Sequence, residues 1–189
     1  MNRYKMYESI AESQKWHTLF KGDAQTALGI GPFQLLYENA SAEVEGISKT
    51  SSSTRELLFD IYSRSQANTT VYYYMNLEIN WPVFLLKPRY NFDHFVYKFF
   101  NWFRDHKNNL YTDFYSNYKL ISPMRNMGYH FLSQELLLFF NFEHGWTVEG
   151  NGHQLLIYKD TVFIEESHLI SFIEVCQTIL KMFAAEKVL

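Results

Sequence analysis

The side chains with the most chemical reach in this chain are His144, Glu149 and His153, crowded around one short stretch, with Cys176 downstream and Asp60 and Arg89 upstream. Imidazoles beside a carboxylate are what a bound metal ion or a general acid/base pair requires. Their spacing argues against both. Residues Gly145 to Asp160 read as a β-hairpin, because Asn151-Gly152 separates two β-type runs. A type I′ turn needs positive φ at both central positions, and Asn-Gly supplies it most readily. With those two residues in the turn, Gly150 faces His153, Glu149 faces Gln154, Val148 faces Leu155 and Trp146 faces Ile157. Trp146, Val148, Leu155 and Ile157 then share one face, and Thr147, Glu149, Gln154 and Leu156 share the other. Glu149 and His153 diverge in a regular hairpin, and His144 has no fixed direction. No metal ion and no cofactor is expected.

The remaining reactive groups fare similarly. Cys176 sits in an apolar helical stripe, where a small buried cysteine is ordinary and a nucleophile would lack its base. A single cysteine forms no internal disulfide and no cysteine-based metal cluster. Gly29-Ile30-Gly31-Pro32 lacks the third glycine and the lysine of a phosphate loop. His17, His94, His106, His130 and His168 show no ligand spacing. Asp60, Arg89 and Glu149 stay as ligand candidates, Arg89 for an anion.

The elements that must position these groups belong to one domain. The 189 residues are 47% hydrophobic and 19% aromatic, enough for a substantial core and too apolar for disorder. A net charge of −3 gives no electrostatic case for nucleic acid. The opening residues Met1 to Glu8 lack the apolar core of a signal peptide, and no run reaches the length of a membrane span. A cytoplasmic protein without a transmembrane segment is expected.

In chain order, residues 2–21 read as a helix, stopped by Lys21-Gly22-Asp23 and able to act as a docking extension. Phe33 to Tyr37 and Ala42 to Ile47 read as short strands. Glu56 to Arg64 and Thr70 to Asn80 alternate more strongly and form an antiparallel pair, the second interrupted at Trp81-Pro82. Val83 to Lys87 continues as an edge strand. Residues 91–107 carry Phe92, Phe95, Phe99, Trp102 and Phe103 at helical spacing. Asp113 to Ile121 alternates as a strand. Ser133 caps a short helix through Phe140, and Ser167 caps a last helix striped by Leu169, Phe172, Ile173, Cys176, Ile179, Leu180 and Phe183. This order predicts an α+β fold with a mostly antiparallel sheet and a C-terminal amphipathic helix.

Four ordered segments carry a resemblance. Leu58-Phe59-Asp60-Ile61-Tyr62, then Trp81 to Arg89, then Asp113 to Leu120, then Val148 to Lys159 resemble an uncharacterised bacterial family. Its members show F-D-Y, P-x-F-x-L-x-P, F-x-x-x-Y-x-L and V-E-G-x-G-x-x-L-L-x-Y-R in that order. The likeness covers roughly residues 55–185, with Ile61 here where the family shows Tyr. It implies no established activity and no catalytic residues, and relatives that often carry N-terminal membrane helices.

Two functions follow from the residues. If the odd positions of 57–61 and 71–79 face the core, then Leu58, Tyr62, Tyr72 and Tyr74 form a Tyr- and Leu-rich outer face. Such a face calls for cover by helix 2–21 or by a second chain, which makes these four residues interaction candidates. The first function is therefore a non-enzymatic domain that binds a protein partner or assembles with itself. The alternative is a small-molecule binder or enzyme with an apolar pocket between the sheet and helix 91–107.

Overall fold

In the computed structural model, which describes residues 3–16, 18–23, 33–39, 41–62, 68–89, 109–123, 132–160 and 162–185, helices and strands alternate along the chain. The order is α1 (Arg3–Gln14), β1 (Thr18–Asp23), α2 (Gln34–Glu38), β2 (Glu43–Thr50), β3 (Thr54–Tyr62), β4 (Thr69–Asn76) and β5 (Trp81–Pro88). It continues with α3 (Asn109–Asn117), β6 (Tyr118–Ile121), α4 (Gln134–Phe142), β7 (Trp146–Gly152), β8 (Gln154–Lys159) and α5 (Leu169–Ala185). The eight strands form one antiparallel sheet in the order β1-β2-β3-β4-β8-β7-β5-β6. The fold is α+β, with the C-terminal helix packed on the sheet.

The β7–β8 hairpin is wedged between β4 and β5, which are neighbours in the chain but not in the sheet. Its register differs from the sequence reading. Asn151 pairs with Gln154, Gly150 with Leu155, Val148 with Ile157 and Trp146 with Lys159, so Gly152 and His153 occupy the turn. Gly152 has φ of 60°, and among the described residues Lys15 alone combines positive φ with a side chain. Glycine with positive φ at the first central position is the type II′ pattern. Pairing has slipped by two residues, one full period of the strand, so every side chain keeps its expected face.

Both faces of the sheet are covered. Ile47, Leu58, Tyr72, Leu155, Ile157, Val148, Trp146, Phe84 and Leu86 face a large core shared with α1, α3, α4 and α5. Val44, Leu57, Phe59, Ile61, Val71, Tyr73, Leu156 and Tyr158 face a second core closed by Phe33, Leu35 and Leu36 of the α2 segment. Residues 57–61 of β3 are consequently all buried, odd and even alike. The odd positions do meet a core, but the even ones meet a larger one.

Several elements depart from the sequence reading. The N-terminal helix ends at Gln14, and Lys21-Gly22-Asp23 lies in β1 rather than at a helix stop. Residues 33–37 lie in and just before helix α2, not in a strand. Residues 109–117 are helical, and only Tyr118 to Ile121 are extended. Phe114 and Tyr118, four apart, satisfy both a period of 2 and a period of 3.6, so alternation could not separate the two. Trp81 and Pro82 open β5, which lies between β7 and β6 instead of at an edge, and its register breaks between Trp81 and Phe84, where Pro82 is accommodated. Ser133 does cap α4, its hydroxyl accepting the Leu136 N–H at 3.2 Å. Ser167 instead falls within a 3-10 turn, Glu166–His168, ahead of α5. Helical from Glu166 to Ala185, this last segment is long and apolar enough by composition to cross a membrane. Leu169, Phe172, Ile173, Cys176, Ile179 and Phe183 on its inner face are buried in the larger core. The aromatic stretch 91–107, the pocket expected beside it, and Gly29 to Pro32 lie outside the described residues.

Candidate functional site

The three ligand candidates are each taken up inside the fold. Asp60, on β3, has no exposed surface and receives the Arg3 guanidinium bidentately, Nε to Oδ2 at 2.5 Å and Nη2 to Oδ1 at 2.8 Å. The Thr70 hydroxyl on the adjacent strand donates to Asp60 Oδ1 at 2.7 Å, and Arg3 Nη1 donates to the Ile164 carbonyl at 2.6 Å. The Phe163 ring lies 4.2 Å from the guanidinium carbon and the Tyr7 ring 5.3 Å. This satisfies a buried carboxylate in the way that burial demands, by pairing and by hydrogen bonds together.

Glu149, on the opposite face, binds the first backbone N–H groups of α2. Its Oε2 accepts Gln34 N–H at 2.6 Å, and its Oε1 accepts Leu35 N–H at 3.1 Å and the Tyr158 hydroxyl at 2.7 Å. Burial pushes the Glu149 carboxyl above its ordinary range, although the Tyr158, Gln34 and Leu35 bonds pull the other way. The same burial, with the Glu149 charge alongside, pushes the Tyr158 phenol far upward. A carboxylate here does the work of an N-terminal cap supplied from another strand. Arg89 is equally structural: its Nε donates to the carbonyls of Tyr115 and Tyr118 at 2.9 and 3.0 Å, closing the junction of α3 and β6.

The imidazole and thiol groups do not converge. His153 Nδ1 lies 2.6 Å from the Ile79 carbonyl on the surface, His144 is exposed, and Glu149 is buried on the far side of β7. Among the described residues, no three His, Cys, Asp or Glu side chains are grouped closely enough to hold a metal ion. Cys176 is fully buried in the larger core, and burial pushes its thiol well up, away from the thiolate that chemistry would need.

The four interaction candidates separate. Leu58 and Tyr72 are fully buried beneath the chain's own helices, with Trp16 meeting Tyr72 edge-on at 6.4 Å. The Tyr72 hydroxyl donates to Glu56 at 2.6 Å. Tyr62 and Tyr74 are half-buried, Tyr62 against Phe163 and Tyr74 against Trp81. This face is therefore interior over Leu58 and Tyr72, where α1 and α5 lie.

The apolar surface that does face water lies on α4. Leu136, Leu137 and Phe140 are buried, whereas Leu138 is 42% exposed and Phe142, one turn on, is 80% exposed. The signal for it was present in Leu136-Leu137-Leu138-Phe139-Phe140-Asn141-Phe142, which carries more apolar residues than one helix face can bury. No family model matches the chain, and neither does any curated protein or solved structure.

Proposed function

We propose that this chain is a non-enzymatic interaction domain, which associates with another protein chain through the outer face of α4. The observation that carries the reading is Phe142, an aromatic ring 80% exposed one helical turn from the exposed Leu138. A single exposed apolar residue needs no explanation, but an aliphatic and an aromatic side chain stacked on one turn form a compact anchor. Aromatic residues of this kind dominate the energy of protein interfaces. The polar candidates support the same reading by their commitments, since Asp60, Arg89 and Glu149 are each engaged in bonds that hold elements of the fold together.

The test is a Leu138→Ser, Phe142→Ser double variant, compared with wild type by native mass spectrometry of protein purified from its own host and by sedimentation across a concentration series. The expected result is a wild-type complex, with itself or with a second protein, that the variant loses while keeping its thermal midpoint. A wild type that stays monomeric and unpartnered throughout would overturn the reading.

A further inference from the structure

The surroundings of Arg3 are a complete guanidinium receptor. Asp60 offers two carboxylate oxygens in the plane of the fork, the Ile164 carbonyl accepts the third bond, and Phe163 supplies an aromatic face. The receptor is built without α1. Asp60 and Thr70 stand on paired strands, and Thr70 fixes the 162–164 segment by accepting Ile164 N–H at 3.0 Å and donating its own N–H to the Val162 carbonyl at 3.0 Å. Only the ligand comes from α1.

Two features of α1 oppose its docking. The Tyr7 hydroxyl is buried beside Asp60 with no hydrogen-bond partner among the described residues, which leaves a desolvated donor uncompensated. Lys15, at the exit from the helix, holds φ of 57°, a left-handed conformation that a side chain resists. Release of the helix relieves both. The outer side of α1 is meanwhile solvated, with Tyr4, Lys5, Glu8, Ser9, Glu12 and Ser13 exposed, so it is held by Arg3 and a few apolar contacts, chiefly Met6, Tyr7 and Ile10.

We propose that the Asp60 pocket is an arginine-binding site in which Arg3 is an exchangeable ligand, and that its partner in trans is the α1 helix of a second copy of this chain. The argument for a second copy is complementarity. The footprint under α1 joins the guanidinium receptor to the apolar surface of Ile47, Leu58 and Tyr72, and α1 presents Arg3, Met6, Tyr7 and Ile10 in matching order. Lys15 is the hinge: rotation to an extended φ carries the helix away from its own sheet, the ordinary route to domain swapping. This surface belongs to α1, β3 and β4, so the proposal stands apart from the α4 reading.

The test mixes two full-length variants. The Arg3→Ala chain keeps the receptor and loses the ligand; the Asp60→Asn chain keeps the ligand and loses the charged receptor. Neither can form the ion pair alone or as a homodimer, whereas a mixed pair with one helix exchanged forms it once. Native mass spectrometry after warming and cooling the mixture is expected to show the mixed dimer in roughly tenfold excess over either homodimer, the ratio that one buried charged pair supplies. In a second arm, millimolar ethylguanidinium is expected to raise the thermal midpoint of Arg3→Ala and to leave the Arg3→Ala, Asp60→Asn double variant unmoved. Should Arg3→Ala fail to fold, Arg3→Lys serves in both arms, since it keeps the charge but not the fork. A statistical mixture of dimers, or monomers only, overturns the exchange; equal response of both variants to ethylguanidinium overturns the site.

Discussion

The Glu149 carboxylate and the Tyr158 hydroxyl, facing each other diagonally across the β7–β8 hairpin, lie 2.7 Å apart, and the same carboxylate receives two backbone N–H groups of α2. The pair joins a short helix to the centre of the sheet. Burial nonetheless raises the Glu149 carboxyl above its ordinary range, which fixes the sign of its effect on stability. Between the unfolded and the folded value the native state binds more protons than the unfolded chain, so stability falls as pH rises through that window. Its favourable contribution is fully present below the ordinary carboxylate range and lost above the raised value. A Glu149→Gln variant retains a carbonyl acceptor and has no such dependence. Chemical denaturation from acid to neutral pH is expected to show wild type losing stability relative to the variant as pH rises. Parallel profiles would contradict the assignment.

Gly150 is expected to tolerate no side chain. It pairs with Phe84 across β5 and β7, and the Phe84 ring covers it so closely that an added Cβ would overlap the ring. The same ring stacks on Phe183 of α5 at 5.4 Å, so it has little freedom to yield. Gly150→Ala should destabilise the protein by about 1–3 kcal/mol, the usual cost of overpacking a core. The denaturation midpoint reads it directly.

Lys15 is expected to respond in the opposite direction. It occupies the left-handed position after α1, and Trp16 N–H returns to the Ala11 carbonyl at 2.9 Å. That bond spacing is the Schellman motif, in which glycine is preferred. Lys15→Gly should stabilise the chain by roughly 1 kcal/mol, because glycine adopts this φ without strain. A lowered thermal midpoint would show that the greater entropy of unfolded glycine dominates.

What the sequence determined by itself was whatever depends on local period and local chemistry. The stripe of α5 was legible because 3.6-residue spacing is set within one helix, and the Ser133 cap because a hydroxyl reaches N–H groups only three residues on. The faces of the β7–β8 hairpin were legible too, and they survived a two-residue error in pairing because strands repeat every two residues. Tertiary structure decided the rest. The Leu35 segment is helical because Glu149, more than a hundred residues away, accepts its first N–H groups. The face of Leu58 and Tyr72 is interior because α1 and α5 lie on it, and alternation along one strand cannot report what covers the strand. Arg3 and Asp60, separated by 57 residues, form no pattern in a linear reading. Their meeting depends on where α1 crosses the sheet, a choice made by burial of Met6, Tyr7 and Ile10 and not by any spacing in the chain.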